Sequence, residues 1–181
     1  MNKAQKRLLY GSLATVAATA VAITIAEKNK VYPPDTTQPN PAAPVQTRQS
    51  IRINAPAERV WQVLSSIDQW ATWQPDIKSP HLNGPLQPGT TFDWKTSGLT
   101  IHSTLHTVAP EAAIGWSGPA FGSFAIHNWT LVPQADGSTE VQVAESMEGW
   151  LIHLLQPVFQ RGLAASIQRW LAWLKQAAEK E

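Results

Sequence analysis

From Thr90 to Met147 the chain is a succession of short runs: Thr90–Lys95, Leu99–Val108, Ala113–Ser117, Phe121–Val132 and Ser138–Met147. Ser97-Gly98, Pro110, Gly118-Pro119 and Asp136-Gly137 separate them, all residues that favour turns. Short strands in direct succession predict an antiparallel meander. The period then changes. Phe159, Leu163, Ile167, Trp170, Leu171 and Leu174 fall on one helical stripe, with Arg161, Gln168, Arg169 and Lys175 mostly opposite. Leu151, Leu154 and Leu155 supply an earlier apolar turn, and Pro157 kinks or splits the helix by removing a backbone donor and crowding the preceding turn. A sheet and one long amphipathic helix each have an apolar side to bury, and they bury it against each other. The expected class is α+β, in two layers.

Upstream, Gln49–Asn54 alternates with Ile51 and Ile53 on one face and predicts a first strand. Ala55-Pro56 opens a helix, because a first-turn proline gives up only an amide that lacks a partner there. Val60, Trp61, Leu64 and Ile67 follow at helical spacing. A second short turn holds Trp70 and Trp73 and stops at Pro75, with Asp68 between the two segments as a cap.

Three regions result. Residues 1–30 read as a targeting segment: Lys3, Lys6 and Arg7 precede an uncharged run from Leu8 to Ile25, closed by Glu27, Lys28 and Lys30. Eighteen helical residues span roughly 27 Å, enough for a hydrocarbon core. The alternatives are an uncleaved single-pass anchor with the domain on the extracytoplasmic side, and a signal peptide cleaved near Ala18-Thr19-Ala20 or Ala20-Val21-Ala22 to leave a secreted or periplasmic protein. Residues 31–47, with Pro33, Pro34, Pro39, Pro41 and Pro44, read as a polyproline-leaning spacer reaching up to roughly 50 Å. Residues 48–181 are the folded domain.

Composition removes several function classes. The net charge of +1 and the lack of a basic cluster give nucleic acid nothing to bind. With no cysteine, disulfides, thiolate catalysis and cysteine-ligated metals are excluded. No nucleophile elbow, P-loop or dinucleotide fingerprint occurs, and no cofactor is expected. His102 and His106 have the i, i+4 spacing of a helical metal site, but in a strand four residues span roughly 13 Å, so no metal site is expected. Asn128-Trp129-Thr130 is formally a glycosylation sequon inside a predicted strand.

The segments INAPAERVWQVLSSIDQWATWQPDI (53–77), GPLQPGTTFDWK (84–95), IGWSG (114–118) and HNWTLVPQADGSTEVQVAESMEG (127–149), with the terminal helix, resemble one known group. This is the polyketide cyclase/dehydrase and lipid-transport group of the SRPBCC, or Bet v 1/START-like, superfamily. The resemblance covers nearly all of residues 48–181. It implies a helix-grip fold, in which a curved antiparallel sheet wraps around a long C-terminal helix with a deep apolar cavity between them. Members include lipid and sterol carriers, ligand sensors and aromatic polyketide cyclases or dehydratases, so the fold does not fix the function.

Within that cavity, strand alternation places Phe92 with Trp94, Trp116 with Ile114 and Trp129 with Leu131, and these tryptophans are the candidate lining. The hairpin around Pro133–Ser138 brings His127 opposite Glu145, at positions where the resembled group commonly carries polar residues. An imidazole beside a carboxylate is a candidate acid/base pair for enolisation or dehydration; the alternative is that they only pair with each other. Trp61, Trp70, Trp73 and Trp170 lie on helical stripes and read as core. The expected function is therefore binding or transport of a lipid, quinone-like or polyketide-like molecule in a membrane-tethered domain. The rivals are a cyclase/dehydratase using His127 and Glu145, and a protein-docking module with an exposed tryptophan surface. A cavity filled by the protein's own tryptophans would sink the first.

Overall fold

The structure, a computed structural model, describes residues 3–29 and 35–180 and divides into two compact units, Met1–Val31 and Tyr32–Glu181. The first unit is one helix, α1 (Lys3–Lys28). Thr19 and Thr24 turn their hydroxyls back onto the carbonyls of Thr15 and Ala20, each at 2.9 Å, which satisfies them within the helix. Among the described residues no helix is long and apolar enough to cross a membrane. The expected anchor draws on Leu8, Leu9 and Leu13, whose side chains lie outside the described residues, and its remainder is diluted by Ala and Thr. The expected spacer residues 31–34 also lie outside them.

In the second unit, β1 (Val45–Ile53) is followed by α2 (Ala57–Ser65), a 3-10 turn (Ile67–Gln69) and α3 (Trp70–Trp73). Then come β2 (Lys78–Leu82), β3 (Thr91–Thr96), β4 (Leu99–Ala109), β5 (Ala113–Ala120), β6 (Ser123–Pro133) and β7 (Thr139–Glu148). α4 (Trp150–Leu154) and α5 (Gln156–Ala178) close the chain. All strand pairs are antiparallel, in the order β1-β7-β6-β5-β4-β3-β2. The meander is as expected, with the first strand added beside the last. Pro157 splits the terminal helix and sits in the first turn of α5, where its missing donor is harmless. The α5 stripe Leu163, Ile167, Trp170, Leu171 and Leu174 is buried on the inner face of the sheet, and Gln49 ties β1 to the Ala164 carbonyl of α5 at 2.8 Å.

Four details differ from expectation. β2 was not anticipated; it is an edge strand interrupted by Pro80, with Ser79 at φ 47°, and carries little alternation. Gly118-Pro119 is not a turn but lies within β5, and the chain turns at Phe121-Gly122 instead. β5 pairs with β4 only as far as Ser117, so Pro119 has one neighbouring strand and no ladder bond to break on its other side. Asp68 accepts the Leu82 amide at 2.8 Å, pinning β2, rather than capping its own helix.

The fourth difference concerns the spacer. β1 starts at Val45, which is fully buried, and Asp35–Pro44 is bonded to the sheet instead of standing off from it. Thr37 offers its carbonyl to Asn128 Nδ2 (2.9 Å), and the Asn40 amide donates to Ser146 Oγ (3.0 Å). Asn40 Nδ2 also reaches Glu148 Oε2 (3.2 Å). These partners lie on the outer face of β6 and β7, with Phe124 and Ile126, which alternate away from the core yet are buried. The proline-rich segment is a strap that covers the back of the sheet.

Candidate functional site

Alternation along β3, β5, β6 and β7 directs Phe92, Trp94, Trp116, His127, Trp129 and Glu145 to one face, opposite α5. The β6–β7 register sets His127 directly across from Glu145, and His127 Nδ1 lies 2.8 Å from Glu145 Oε2. Both are buried. Nδ1 faces the carboxylate as the N–H donor, and in the neutral tautomer this sets, Nε2 carries the lone pair.

The imidazole is packed between indoles. Trp116 stacks on it with centroids 4.5 Å apart, and Trp129 lies nearly parallel to it, 8° off, at 5.5 Å. Trp70 from α3 sits edge-on to Phe92 (5.5 Å) and Trp94 (6.4 Å). Trp94 satisfies its own N–H on Ser103 Oγ at 3.1 Å.

The space enclosed by these rings is not open. The indole of Trp170, from α5, fills it and is 4% exposed. Its centroid lies 5.3 Å from that of Trp70, 5.6 Å from those of His127 and Trp129, 6.1 Å from those of Trp94 and Trp116, and 6.3 Å from that of Trp73. The cavity expected at this place is occupied by the protein's own side chain, which is the outcome set against an open carrier cavity for a lipid-sized ligand.

Two polar atoms in this box have no hydrogen-bond partner: His127 Nε2 and Trp129 Nε1. Leaving a buried donor or acceptor unpaired costs about 1–3 kcal/mol, so such atoms mark a place where a partner would be welcome. Together they present one acceptor and one donor on neighbouring parallel rings. A hydroxyl carries the complementary chemistry for each, a proton for an imidazole lone pair and a lone pair for an indole N–H.

The structure thus brings together all six residues singled out in the sequence. Trp70 and Trp170, read there only as core, belong to the same cluster. A helical stripe shows that they face the sheet but not which rings they meet. Because Trp70, Trp116, Trp129 and Trp170 are at most 4% exposed, they form no docking surface. His102 and His106 are turned elsewhere: His102 pairs with Asp93, and His106 lies at a bulge in β4, its Nδ1 2.9 Å from Thr107 Oγ1. Burial pushes the His106 imidazole below its ordinary value. Hydrogen bonds from Asn83 and His102 hold the Asp93 carboxyl below its ordinary range.

Residues 44–179 match the family described as polyketide cyclase / dehydrase and lipid transport. No curated protein matches the chain. Among solved structures it is similar to a hypothetical protein of Helicobacter pylori, jhp0584 (15% identity, TM-score 0.70, 83% of this chain and 100% of that one). It is also similar to the Zhui aromatase/cyclase of a Streptomyces species (16%, TM-score 0.62, 74% and 93%). A Thermus thermophilus protein, TTHA0849, is similar at 16% identity (TM-score 0.63, 74% and 96%). At these identities the structural likeness concerns the fold.

Proposed function

Because the chain belongs to the polyketide cyclase / dehydrase and lipid transport family, we propose that it binds a compact hydrophobic molecule bearing a hydroxyl in the aromatic box, with Trp170 as the wall that yields. The observation that carries this reading is the pair of unpartnered buried atoms, His127 Nε2 and Trp129 Nε1, against the Trp170 ring. Size follows from the same geometry. A guest that displaces only Trp170 inherits the volume of one indole, which suits a bicyclic aromatic and not a long acyl chain. Aromatic faces on several sides supply dispersion and edge-to-face contacts, and the hydroxyl supplies orientation.

The 2.8 Å bond between His127 and Glu145 favours a second reading, in which the same pair does chemistry. Glu145 would orient the imidazole and Nε2 would take a proton from a bound hydroxyl or an activated carbon. The tether is part of the proposal: the basic residues before Leu8 and the uncharged run to Ile25 support a membrane-held N-terminus with the domain outside. Resistance of the full chain to alkaline extraction from membranes tests it, and release into the soluble fraction would remove it.

The box is tested by titrating the purified chain with 2-naphthol and with naphthalene, in the wild type and in Trp170→Ala. The variant should bind 2-naphthol at least about tenfold more tightly than the wild type, since the competing indole is gone, and should prefer it to naphthalene. Equal binding of the two compounds, or none in the variant, would overturn the reading.

A further inference from the structure

A second recess lies outside the box, between α2, α3 and the C-terminal end of α5, with a volume of about 580 Å³. That is within the range of small-molecule sites. Trp73 and Trp173 supply its aromatic walls, Arg59 and Lys180 its charge, and Gln62 and Gln176 neutral amides. No carboxylate is among its described lining residues, the acidic contact of the lining being Glu58, which accepts from Gln62 Nε2 at 3.3 Å. Arg59 is positioned by donating from Nη2 to the Lys180 carbonyl at 3.3 Å, which joins α2 to the end of the chain. Outside the lining, Arg169 lies 6.0 Å from the Trp173 ring centre, and its guanidinium is paired with Asp76 at 3.0 Å. Trp73 forms the junction with the box, edge-on to Trp170, and its buried Nε1 has no partner.

We propose that this recess is a separate binding site for a planar aromatic anion, its ring against Trp73 and Trp173 and its carboxylate held by Arg59 and Lys180. Each part answers one property of the guest. The indoles reward a flat apolar body. Arginine and lysine reward a carboxylate, arginine with two parallel donors. The same guest is excluded from the inner box, where an ionised carboxylate would be buried with no cation to compensate it. The proposal stands independently of what the box binds.

The experiment uses the full chain, 2-naphthoate as probe and its neutral counterpart 2-naphthylmethanol, followed by calorimetry and by the indole N–H resonances. Naphthoate should bind saturably at one site, weaken with added salt, and exceed the neutral compound by about tenfold or more. Arg59→Gln should lose about the same factor. Trp173→Phe should keep binding and Trp173→Ala should lose it, with circular dichroism showing each variant folded. Absence of saturable binding in the wild type, or an affinity unchanged in Arg59→Gln and indifferent to the charge of the probe, would overturn the proposal.

Discussion

Replacing Trp170 by alanine removes the side chain on which the interior closes, and the size of the effect can be worked from its surroundings. Trp170 is 4% exposed and touches the rings of Trp70, Trp73, Trp94, Trp116, His127 and Trp129. An indole buries about 200 Å², which at roughly 25 cal/mol per Å² is an upper bound of about 5 kcal/mol. The void left behind is about 140 Å³, and at about 24 cal/mol per Å³ it contributes about 3 kcal/mol. The two contributions add to an upper bound of about 8 kcal/mol. Partial collapse of the site and burial already present in the unfolded chain reduce this to the roughly 3–5 kcal/mol usual for a core tryptophan-to-alanine change. The corresponding drop in Tm is roughly 6–20 °C for a chain of this size. Urea unfolding followed by far-UV circular dichroism measures it. The void is large enough for a small aromatic, so 2-naphthol at about 100 times its Kd should return about 2.7 kcal/mol. If the variant is too weak to study, Trp170→Leu keeps part of the packing and should show the same rescue in smaller measure. A loss below about 1 kcal/mol, or a full loss that no aromatic compound relieves, would refute the reasoning that this ring is the removable wall of a box.

Three further outcomes follow from the back of the sheet. A Cβ at Gly115 would come within 2.4 Å of His106 Cε1 and 2.7 Å of Asn128 Oδ1, so Gly115→Ala should lose about 1–3 kcal/mol in a denaturant melt, and a change within the error would remove the close-packing argument. Asn128→Ala deletes the 2.9 Å bond to the Thr37 carbonyl, and amide exchange in residues 35–44 should quicken while that of β6 stays slow; uniform exchange would mean that the strap is not held there. His106 is depressed in the folded state, by burial first, with a hydrogen bond to the Trp116 backbone and the Asp35 carboxylate opposing the shift. The unfolded chain therefore binds more protons just below 6.5, and the stability that neutral His106 supplies is complete above 6.5 and lost as pH falls through its lower folded value. His106→Gln should flatten that part of the stability profile, and an unchanged profile would assign the dependence to other groups.

The parts of this architecture that rest on local pattern were legible in the sequence. Alternation and turn residues placed the strands from Thr91 to Glu148 within a few positions, and the period change located α5. The pairing of His127 with Glu145 followed from counting back from one hairpin, since an antiparallel register is fixed by its turn. What failed depends on neighbours. Gly118-Pro119 has the composition of a turn and became strand because β4 no longer pairs there. β2 has too little alternation to show itself and exists because β3 and Asp68 hold it. The strap looked like a spacer because prolines cannot bury a core. Its contacts are instead made by Asn40 and a carbonyl, with the buried Ala43 and Val45 showing that packing begins before Arg48. The filling of the box by Trp170 was out of reach, because a helical stripe does not reveal how deeply one indole reaches between strands.

On the proposed reading, the aromatic box accepts a compact hydroxylated guest when Trp170 yields. This is tested most directly by purifying the full chain and the Trp170→Leu variant from cells of the organism that encodes it, extracting each with organic solvent and identifying bound compounds by mass spectrometry. A small aromatic or similarly compact hydroxylated molecule is expected, near one per chain in the variant and less in the wild type. A long-chain lipid at one per chain, or two empty proteins, would contradict it.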